Sequence, residues 1–457
     1  MSYNEHILGE LKYGQGIFRE AIIKFRSLEG RRVLYYSHDD PDGITSAVLM
    51  TKIFKKLDID YEIYLPETYE LERFRVEEAV AKTKRPFDAL IVTDKGTQER
   101  FDTYTEIIKD IIIIDHHFIQ GMPKKCLVFH PQIQCSCSHL VHMILTGLGM
   151  REDYDDFLNL IGLKGDWTID PVRDFAAEFV QPFVDEVKPN FAGLFRKTRG
   201  DTWFDIKQDG ITCTLSQITE FLHALCGGGF QFFYNDRDKS LQNLNQPFFT
   251  SNILNNMRKN ISKVKKISTL KNFIDILPDK KTALKIWNFY RSDWEKAKVL
   301  VDSTAPVGDF GLVKIFLYIG NQIPLIPMLG SVKLNELAKR YNCEDAVLVM
   351  VNLEKNKNIH FSMRALTDKV HVGKICNNLA TRLQKRFNDC EQITGGGHPT
   401  AGECKIRRTD IPLLVCIKEF MDILNKMYNF SKQQTLEEED KKQAFELGLE
   451  YLKIKMP

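Results

Sequence analysis

Short apolar runs alternate, over the first third of the chain, with segments whose apolar residues recur every three or four positions. Runs of the first kind are typical of strands, and the second spacing is typical of amphipathic helices. The strand-like runs are residues 32–36, 61–65, 89–92, 111–114 and 126–129. Strands that alternate with helices predict βαβ units, and therefore a parallel sheet with helices packed on it.

The pattern changes further along the chain. It becomes mostly helical after residue 175, and a second α/β pattern starts at about residue 305. This second pattern predicts strands at residues 313–319, 346–351 and 359–365, a helix at 372–386 and a glycine loop at 395–402. The charged tail that follows carries an amphipathic stripe, which predicts a terminal helix packed on the body of the protein.

These patterns together predict an α/β protein with four regions. The expected regions are an N-terminal parallel-sheet domain at residues 1–175, a mostly helical connector or insertion at 176–304, a smaller C-terminal α/β domain at 305–430 and a C-terminal helix at 431–457. A chain of 457 residues is long enough for several such domains.

Composition narrows the picture only slightly. The net charge of +2 favours no polyanion across the whole surface, so a nucleic-acid surface would have to be local. We interpret the basic stretch at residues 258–271 as a solvated helix face in preference to a strip that binds a polyanion. The ten cysteines are scattered without a CxxC pair, and no apolar run approaches the length of a membrane span. We therefore expect a cytoplasmic protein with no membrane partner.

Three clusters of aspartate and histidine directly follow three of the predicted strands. They are residues 38–43 with the sequence His-Asp-Asp-Pro-Asp-Gly, then Asp94, then residues 115–117 with the sequence Asp-His-His. Asp166, which follows an apolar helical segment, is a fourth candidate. Ligands of open parallel sheets bind at the carboxyl ends of the strands, so we expect these side chains to share one site.

The side chains of these clusters predict a metal centre. His38, Asp40, Asp42, Asp94, His116 and Asp166 offer nitrogen and oxygen donors and no thiolate. Such a set suits Mn²⁺ or Mg²⁺ better than structural zinc. Two divalent ions about 3.5–4 Å apart, bridged by a carboxylate, are typical of phosphoester cleavage. Each cluster taken alone has a simpler explanation as a turn or a helix cap, but their conjunction at strand and helix ends favours the shared centre.

The same residues resemble the motifs of the DHH phosphoesterase superfamily. Residues 38–43 resemble its first motif, Asp94 its second, residues 115–117 its name-giving third, and Gly165-Asp166 its fourth. Near the C-terminus, Gly395-Gly396-Gly397-His398 resembles the signature of the DHHA1 domain, and Ser362-Met363-Arg364 resembles its substrate-facing strand. The resemblance implies a DHH catalytic domain at residues 1–175 and a DHHA1 substrate-binding domain at 305–430.

The resemblance also implies two bound divalent cations, with Mn²⁺ the first choice and Mg²⁺ the second. One cation would be held by His38, Asp40 and Asp94. The other would be held by Asp42, Asp94, His116 and Asp166, with Asp94 bridging the two.

Further roles follow from the same resemblance. His117 would contact the scissile phosphate or stabilise the leaving oxygen, and Asp115 would orient it. In the DHHA1 domain, Arg364, His398 and the backbone of Gly395, Gly396 and Gly397 would grip the terminal nucleotide. Arginine is a bidentate ligand for anions, and glycines let backbone N–H groups approach a phosphate closely.

The superfamily includes several kinds of phosphoesterase, and the added helical region is most similar to archaeal RecJ-like members. The resemblance implies an exonuclease that hydrolyses single-stranded DNA or RNA to nucleoside monophosphates. The alternatives are an oligoribonuclease, a phosphodiesterase for cyclic or linear dinucleotides, or a nucleotide phosphatase. A further alternative is a replication or repair scaffold with vestigial activity and a protein partner, although every ligand position here is filled.

Overall fold

The computed structural model describes residues 3, 5–7, 16–66, 70–205, 210–227, 238–301, 306–310, 313–321, 326–353, 358–389 and 392–428. The chain divides into two compact units, Met1–Tyr290 and Arg291–Pro457. Both units have an α/β fold, which confirms the fold class expected from the sequence. The helix predicted for the C-terminal tail at residues 431–457 lies outside the described residues.

The first unit is built on a parallel sheet of five strands. They are β1 (Arg32–Tyr36), β2 (Asp60–Tyr64), β3 (Ala89–Thr93), β4 (Ile111–Ile114) and β5 (Leu127–Phe129). Their order across the sheet is β2-β1-β3-β4-β5, and every pair of neighbours is parallel. The strand order therefore reverses between β1 and β3, which is the point where doubly wound sheets bind their ligands.

The interior strands of this sheet consist almost entirely of apolar side chains, because helices cover both faces. Strands β1, β3 and β4 are buried along their whole length. One apolar cluster includes Leu34, Val92 and Ile113 from the sheet, with Phe101 and Tyr104 packed against them. The continuous apolar runs that predicted these strands thus reflect burial on both faces.

Helices precede, separate and follow the strands of this sheet along the chain. They are α1 (Gly16–Ser27), α2 (Pro41–Lys56), α3 (Arg73–Ala81), α4 (Phe101–Tyr104), α5 (Cys137–Gly147) and α6 (Asp153–Gly165). Helix α2 begins at once after the acidic loop, since Asp40 is its N-cap and Pro41 occupies its first position. Residues 41–43 therefore form the first turn of a helix.

The rest of the first unit is mostly helical, as the sequence predicts. Its helices are α7 (Gln181–Val187), α8 (Thr214–Cys226), α9 (Gln246–Met257), α10 (Ile261–Val264), α11 (Leu270–Asp275) and the first half of α12 (Lys280–Val301), which runs past Tyr290, the last residue of this unit. Two short antiparallel ribbons interrupt them, β6 (Ile169–Asp170) with β7 (Phe175–Ala176) and β8 (Lys197–Arg199) with β9 (Ile211–Cys213). Among the described residues, no helix is long and apolar enough to cross a membrane.

The second unit contains a mixed sheet of six strands. They are β10 (Pro306–Phe310), β11 (Val313–Asn321), β12 (Asp345–Leu353), β13 (Ile359–Ala365), β14 (Ile393–Gly397) and β15 (Ala401–Ile406). The strand order is β10-β11-β12-β13-β15-β14, so β14 lies at one edge of the sheet. Its helices are α13 (Ile326–Arg340), α14 (Val372–Phe387) and α15 (Leu413–Tyr428), and the core lies between the sheet and α14 and α15.

Ion pairs account for part of the basic stretch at residues 258–271. The Arg258 guanidinium donates to Asp155 Oδ1 at 2.6 Å, and the Lys265 ammonium pairs with Asp153. The carboxylate of Asp155 is fully buried, and its other oxygen accepts from the Lys52 ammonium and from the backbone N–H of Glu152. Arg258 therefore ties the connector to the first turn of α6, which agrees with a structural role for this arginine.

Loss of the Asp155 charge should destabilise the first unit. Asp155→Asn leaves two cations facing a buried neutral amide, and breaking a buried pair in this way costs about 3–5 kcal/mol. The matched control is Asp153→Asn in the same helical turn, whose half-exposed ion pair should contribute less than about 1 kcal/mol. Urea unfolding followed by tryptophan fluorescence measures both changes. Equal unfolding midpoints for the two variants would contradict the assignment of Asp155 as a structural anchor.

Candidate metal centre

The carboxyl ends of β1, β3 and β4 meet at one edge of the first sheet. Strand β3 pairs with β1 on one side and with β4 on the other, so the residues that follow these strands are neighbours. The three clusters predicted from the sequence therefore come together at the reversal of strand order.

The segment after β1 holds His38 and Asp40 beside each other. The Nδ1 atom of His38 lies 3.1 Å from Oδ2 of Asp40 and 3.8 Å from Oδ2 of Asp94. The other oxygen of Asp40 accepts from the backbone N–H of Gly43 at 2.9 Å. A Cβ atom on Gly43 would lie 2.4 Å from the carbonyl oxygen of His38, so this tight turn into the helix requires glycine.

Asp94 has an unusual backbone conformation at the end of β3. Its φ is +58°, in the left-handed region that aspartate tolerates better than most residues. Its backbone N–H still donates to the carbonyl of Ile114 at 3.1 Å, so the turn occurs directly at the sheet edge. The carboxylate then faces three imidazoles, with Oδ1 at 3.4 Å from Nε2 of His116 and at 3.7 Å from Nδ1 of His117. Asp94 is therefore close to His38 through one carboxylate oxygen and to His116 and His117 through the other.

Asp42 is held by the N-terminus of another helix, which the sequence did not predict. Its two carboxylate oxygens accept from the backbone N–H groups of Cys137 at 2.7 Å and Ser138 at 2.9 Å, in the first turn of α5. The helix dipole favours a negative charge at this position. Gly162 of α6 packs against the same point, because a Cβ there would lie 2.6 Å from Oδ1 of Asp42 and 2.0 Å from Oγ of Ser138.

Asp166 completes the set from the end of α6, where it is the C-terminal capping residue. Its Oδ2 atom lies 3.0 Å from Nε2 of His116, and the same nitrogen lies 3.8 Å from Oδ2 of Asp42. Helix α6 packs against α2 and α5, and its capping residue therefore reaches the strand ends.

Three overlapping groups of ligand atoms result. Within each group the donor atoms lie within 4.8 Å of one another, and the groups are His38–Asp40–Asp94, Asp42–His116–Asp166 and Asp94–His116–His117. The six residues proposed as metal ligands from the sequence are all brought together. Burial differs across the site: the side chains of His38 and Asp40 are 18% and 28% exposed, whereas that of Asp42 is fully buried.

Asp115 and His117 form a buried pair behind these groups. Oδ1 of Asp115 lies 2.8 Å from Nδ1 of His117, and Oδ2 accepts from the hydroxyl of Thr97 at 2.8 Å. His130 Nε2 lies 2.6 Å from the carbonyl oxygen of His117 and fixes the backbone of that residue. Both oxygens of Asp115 are thus used within the protein, one by His117 and one by Thr97.

The site concentrates negative charge in a buried place. Burial raises the pKa of Asp94 well above its usual range, and the nearby carboxylates of Asp40 and Asp42 raise it further. Burial also raises the pKa of Asp166, with the same two neighbours adding to the effect. Burial lowers the pKa of His116, but the hydrogen bond and charge of Asp94 outweigh it and raise the value to about 9. The protein thus holds more carboxylate than its own cations neutralise.

The donor set fits divalent cations. Oδ2 of Asp94 and Oδ2 of Asp166 are buried and have no hydrogen-bond partner among the described residues. Buried carboxylate oxygens without a donor are costly unless a cation coordinates them. Oxygen and imidazole donors without thiolate are typical of Mn²⁺ and Mg²⁺ sites.

The residues singled out in the second unit lie in β13, in β14 and in the turn after β14, and β15 separates the two strands. Arg364 lies in β13, and its Nη1 donates to the carbonyl of Met363 at 2.8 Å and to Oγ of Ser362 at 3.2 Å. Glu403 of β15 lies within 3.1 Å of His360 and 4.0 Å of Arg364. His398 lies in the turn after β14, where its backbone N–H donates to Ala401 at 2.7 Å.

The prediction of a glycine loop at residues 395–402 is wrong, because residues 393–397 and 401–406 form the paired strands β14 and β15. The glycines of β14 allow α14 to pack directly on the strand. A Cβ on Gly395 would lie 2.5 Å from the carbonyl oxygen of Cys376, and a Cβ on Gly373 would lie 2.2 Å from that of Gly397. This packing could not be predicted, because a glycine run in a loop and a glycine run in a close-packed strand have the same sequence pattern.

Comparison with known proteins agrees with this geometry. Residues 32–161 match the model of the DHH family, N-terminal domain, and this range includes the parallel sheet and all the candidate ligands except Asp166. No curated protein sequence matches the chain.

Three solved structures have a similar fold. RecJ from Thermus thermophilus in complex with Mn²⁺ gives a TM-score of 0.52 at 13% identity, covering 90% of this chain and 55% of that one. An exonuclease RecJ bound to manganese gives 0.50 at 13% identity, covering 92% and 95%. The DHH domain of a member of the S1p family of ribosomal proteins gives 0.55 at 16% identity, covering 92% of each chain.

The chain spans about half the length of the Thermus thermophilus RecJ, and at these identities the likeness concerns the fold. The family match and the strand-end ligands agree on the N-terminal part, and the similar structures cover most of both units. Residues 32–161 therefore form a region that matches the DHH family, N-terminal domain, in a chain whose fold is similar to that of RecJ.

Proposed function

We propose that this protein is a two-metal-dependent phosphodiesterase that acts as an exonuclease on single-stranded DNA or RNA and releases nucleoside monophosphates. The observation that carries the proposal is the set of three overlapping ligand groups, two of which share Asp94. A carboxylate that serves two adjacent groups is what a two-metal phosphoesterase centre requires.

In this proposal His38, Asp40 and Asp94 hold one cation, and Asp42, Asp94, His116 and Asp166 hold the other. Two such cations, when bound, lower the pKa of a water molecule and stabilise charge on the attacking and leaving oxygens. Mn²⁺ is the first candidate, because RecJ structures of similar fold are described in complex with it, and Mg²⁺ is the second. Asp42 keeps its orientation through the two backbone N–H groups of α5.

His117 is proposed to act on the phosphate or the leaving oxygen. Its Nδ1 atom lies 2.8 Å from Oδ1 of Asp115. The pair is arranged so that the aspartate fixes the ring orientation, as carboxylates do for functional histidines. We assign catalytic contact to His117 and a positioning role to Asp115.

The second unit is proposed to bind the terminal nucleotide. Arg364 offers a guanidinium for the phosphate, and the Gly395, Gly396 and Gly397 backbone and His398 lie on the far side of β15 in the same sheet. Arginine suits this task because its planar fork matches two phosphate oxygens. Single-stranded nucleic acid or a short oligonucleotide is therefore the proposed partner.

One assay distinguishes this function from its closest alternatives. The protein is incubated with Mn²⁺ and end-labelled DNA or RNA of increasing length, from dinucleotide to long strand, and the products are resolved over time. Release of monophosphates from long strands supports the exonuclease. Activity confined to dinucleotides would instead indicate an oligoribonuclease or dinucleotide phosphodiesterase, and no hydrolysis of any strand would favour a scaffold.

Removal of the shared carboxylate should abolish metal-dependent hydrolysis. Asparagine has nearly the same size as aspartate and also tolerates the left-handed conformation of residue 94. The substitution Asp94→Asn therefore removes only the negative charge that the two proposed cations would share. We expect kcat to fall at least about 1,000-fold with Mn²⁺, equivalent to about 4 kcal/mol of transition-state stabilisation. Isothermal titration should show weakened Mn²⁺ binding in parallel.

The matched control for this test is Asp58→Asn. Asp58 is also an aspartate with a left-handed backbone, at φ +52°, but it is exposed and lies away from the candidate ligands. Its substitution should leave hydrolysis and Mn²⁺ binding unchanged. Hydrolysis by Asp94→Asn at the rate of the unsubstituted protein would refute the two-metal centre.

Substitution of Arg364 should weaken substrate binding more than it slows the reaction. For Arg364→Gln we expect the KM for an oligonucleotide to rise about tenfold, as expected for the loss of one charge-assisted phosphate contact. Arg386→Gln is the control, because Arg386 belongs to the same unit but pairs with Glu419 on α15. An unchanged KM in Arg364→Gln would remove this arginine from the substrate site.

A further inference from the structure

Trp167 presents an exposed ring directly after the candidate ligand Asp166. Trp167 is 41% exposed, and its φ of +59° is rare for a bulky residue. Its backbone N–H donates to the carbonyl of Lys164 at 3.2 Å, which closes the end of α6. A strained conformation that exposes a tryptophan at the edge of a reaction centre invites a functional explanation.

The exposed ring rests on a layer of other aromatic rings. Its centroid lies 5.3 Å from that of Phe204 and 5.6 Å from that of Trp203, and the latter two rings are 4.0 Å apart. The Lys164 ammonium lies 5.7 Å from the Trp167 ring. Such contacts hold the indole in place before any ligand arrives, so little conformational entropy remains to be lost.

A buried ion pair anchors this aromatic layer to α6. Lys164 donates to Oδ1 of Asp205 at 2.9 Å, and both side chains are 1% exposed. The other oxygen of Asp205 accepts from Thr212 at 2.6 Å, which joins β9 to the short helix at Trp203–Asp205. The layer is therefore fixed on two sides.

The aromatic layer continues to the metal centre through His223. The His223 ring lies 5.2 Å from that of Trp203 in an edge-on arrangement, and it interacts electrostatically with Asp40 and His38. The layer thus reaches the outer, partly exposed ligand group as well as Asp166. An occupant of the surface would lie next to a phosphate held at the metals.

Two buried polar atoms in the layer have no hydrogen-bond partner among the described residues. They are Nε1 of Trp203 and Nε2 of His223, on adjacent rings. An indole N–H can only donate, so it requires an acceptor from a ligand or from water. Buried polar groups of this kind are rare in proteins and call for an explanation.

We propose that Trp167 stacks on a nucleobase of the nucleotide at the metal centre, and that Trp203 and His223 hydrogen-bond the polar edge of that base. A nucleobase supplies the flat face that an exposed indole binds and the rim of acceptors that an indole N–H requires. Pyrophosphate and polyphosphate offer acceptor oxygens but no flat face on which an indole can stack. This inference rests on the proposed nucleic-acid function and makes it specific, since it requires a base beside the scissile phosphate.

The proposal is tested with short single-stranded DNA that has an abasic site at successive positions from the end. Stacking on one aromatic side chain should make base removal at one position reduce kcat/KM about 5- to 100-fold in the unsubstituted protein. In Trp167→Ala the same base removal should cost little, because its partner is already absent. Trp167→Phe should lie between the two.

Phe175→Ala is the control variant. Phe175 is 50% exposed in β7, only a few residues along the chain, and it has no ring contact with Trp167, Trp203 or Phe204 among the described residues. It should behave like the unsubstituted protein on both kinds of strand. If Trp167→Ala loses the same factor on intact and abasic strands, Trp167 has only a structural role and the proposal is wrong.

Binding is measured separately from hydrolysis. In the inactive Asp94→Asn background, an oligothymidylate should quench tryptophan fluorescence, and Trp167→Phe should remove most of that quenching, although three of the four tryptophans remain. Quenching that survives in Trp167→Phe would overturn the stacking proposal. Failure of the unsubstituted protein to cleave any strand would count against the proposed function, whereas quenching by the oligonucleotide would still support the base site.

Discussion

The repulsion between carboxylates at the reversal of strand order is the constraint on which this structure depends. Four aspartates and two histidines come within a few ångströms of one another in a site from which water is largely excluded. Such a cluster is stable only if cations, helix dipoles or protons offset its charge. The protein supplies one part of this compensation itself, at Asp42, through the backbone N–H groups of α5. At Asp94 and Asp166, one buried carboxylate oxygen each has no hydrogen-bond partner among the described residues, so compensation must come from another group such as a cation.

Glycines make this concentration of charge geometrically attainable. Gly43 lets the first turn of α2 lie against the carbonyl of His38, and Gly162 lets α6 approach the Asp42 carboxylate. In the second unit, Gly395 does the same for α14 and the edge strand, with no charge involved. In each case a side chain is absent where two backbones, or a backbone and a carboxylate, meet. The glycines therefore set distances, and the functional side chains use the space that results.

Much of the fold and of the metal centre could be predicted from the sequence because both follow local patterns. Fully buried strands appear as continuous apolar runs, and the residues after them must meet at one sheet edge, which brought Asp94 beside His38 and His116. The support of Asp42 by α5 could not be predicted, since the two segments lie 95 residues apart in the chain. The left-handed backbone of Asp94 and the aromatic layer around Trp167 could not be predicted from a single sequence either. They depend on contacts between segments whose spacing carries no periodic signal.

The difference in burial across the candidate metal centre has a consequence for how fast bound cations would exchange with solvent. His38 and Asp40 form the partly open side of the site, whereas Asp42, Asp94 and His116 lie beneath it. In the proposed two-cation centre, an ion held by His38 and Asp40 would meet solvent more directly than one held by the inner residues. The outer ion of that proposed centre would therefore be expected to exchange faster than the inner one.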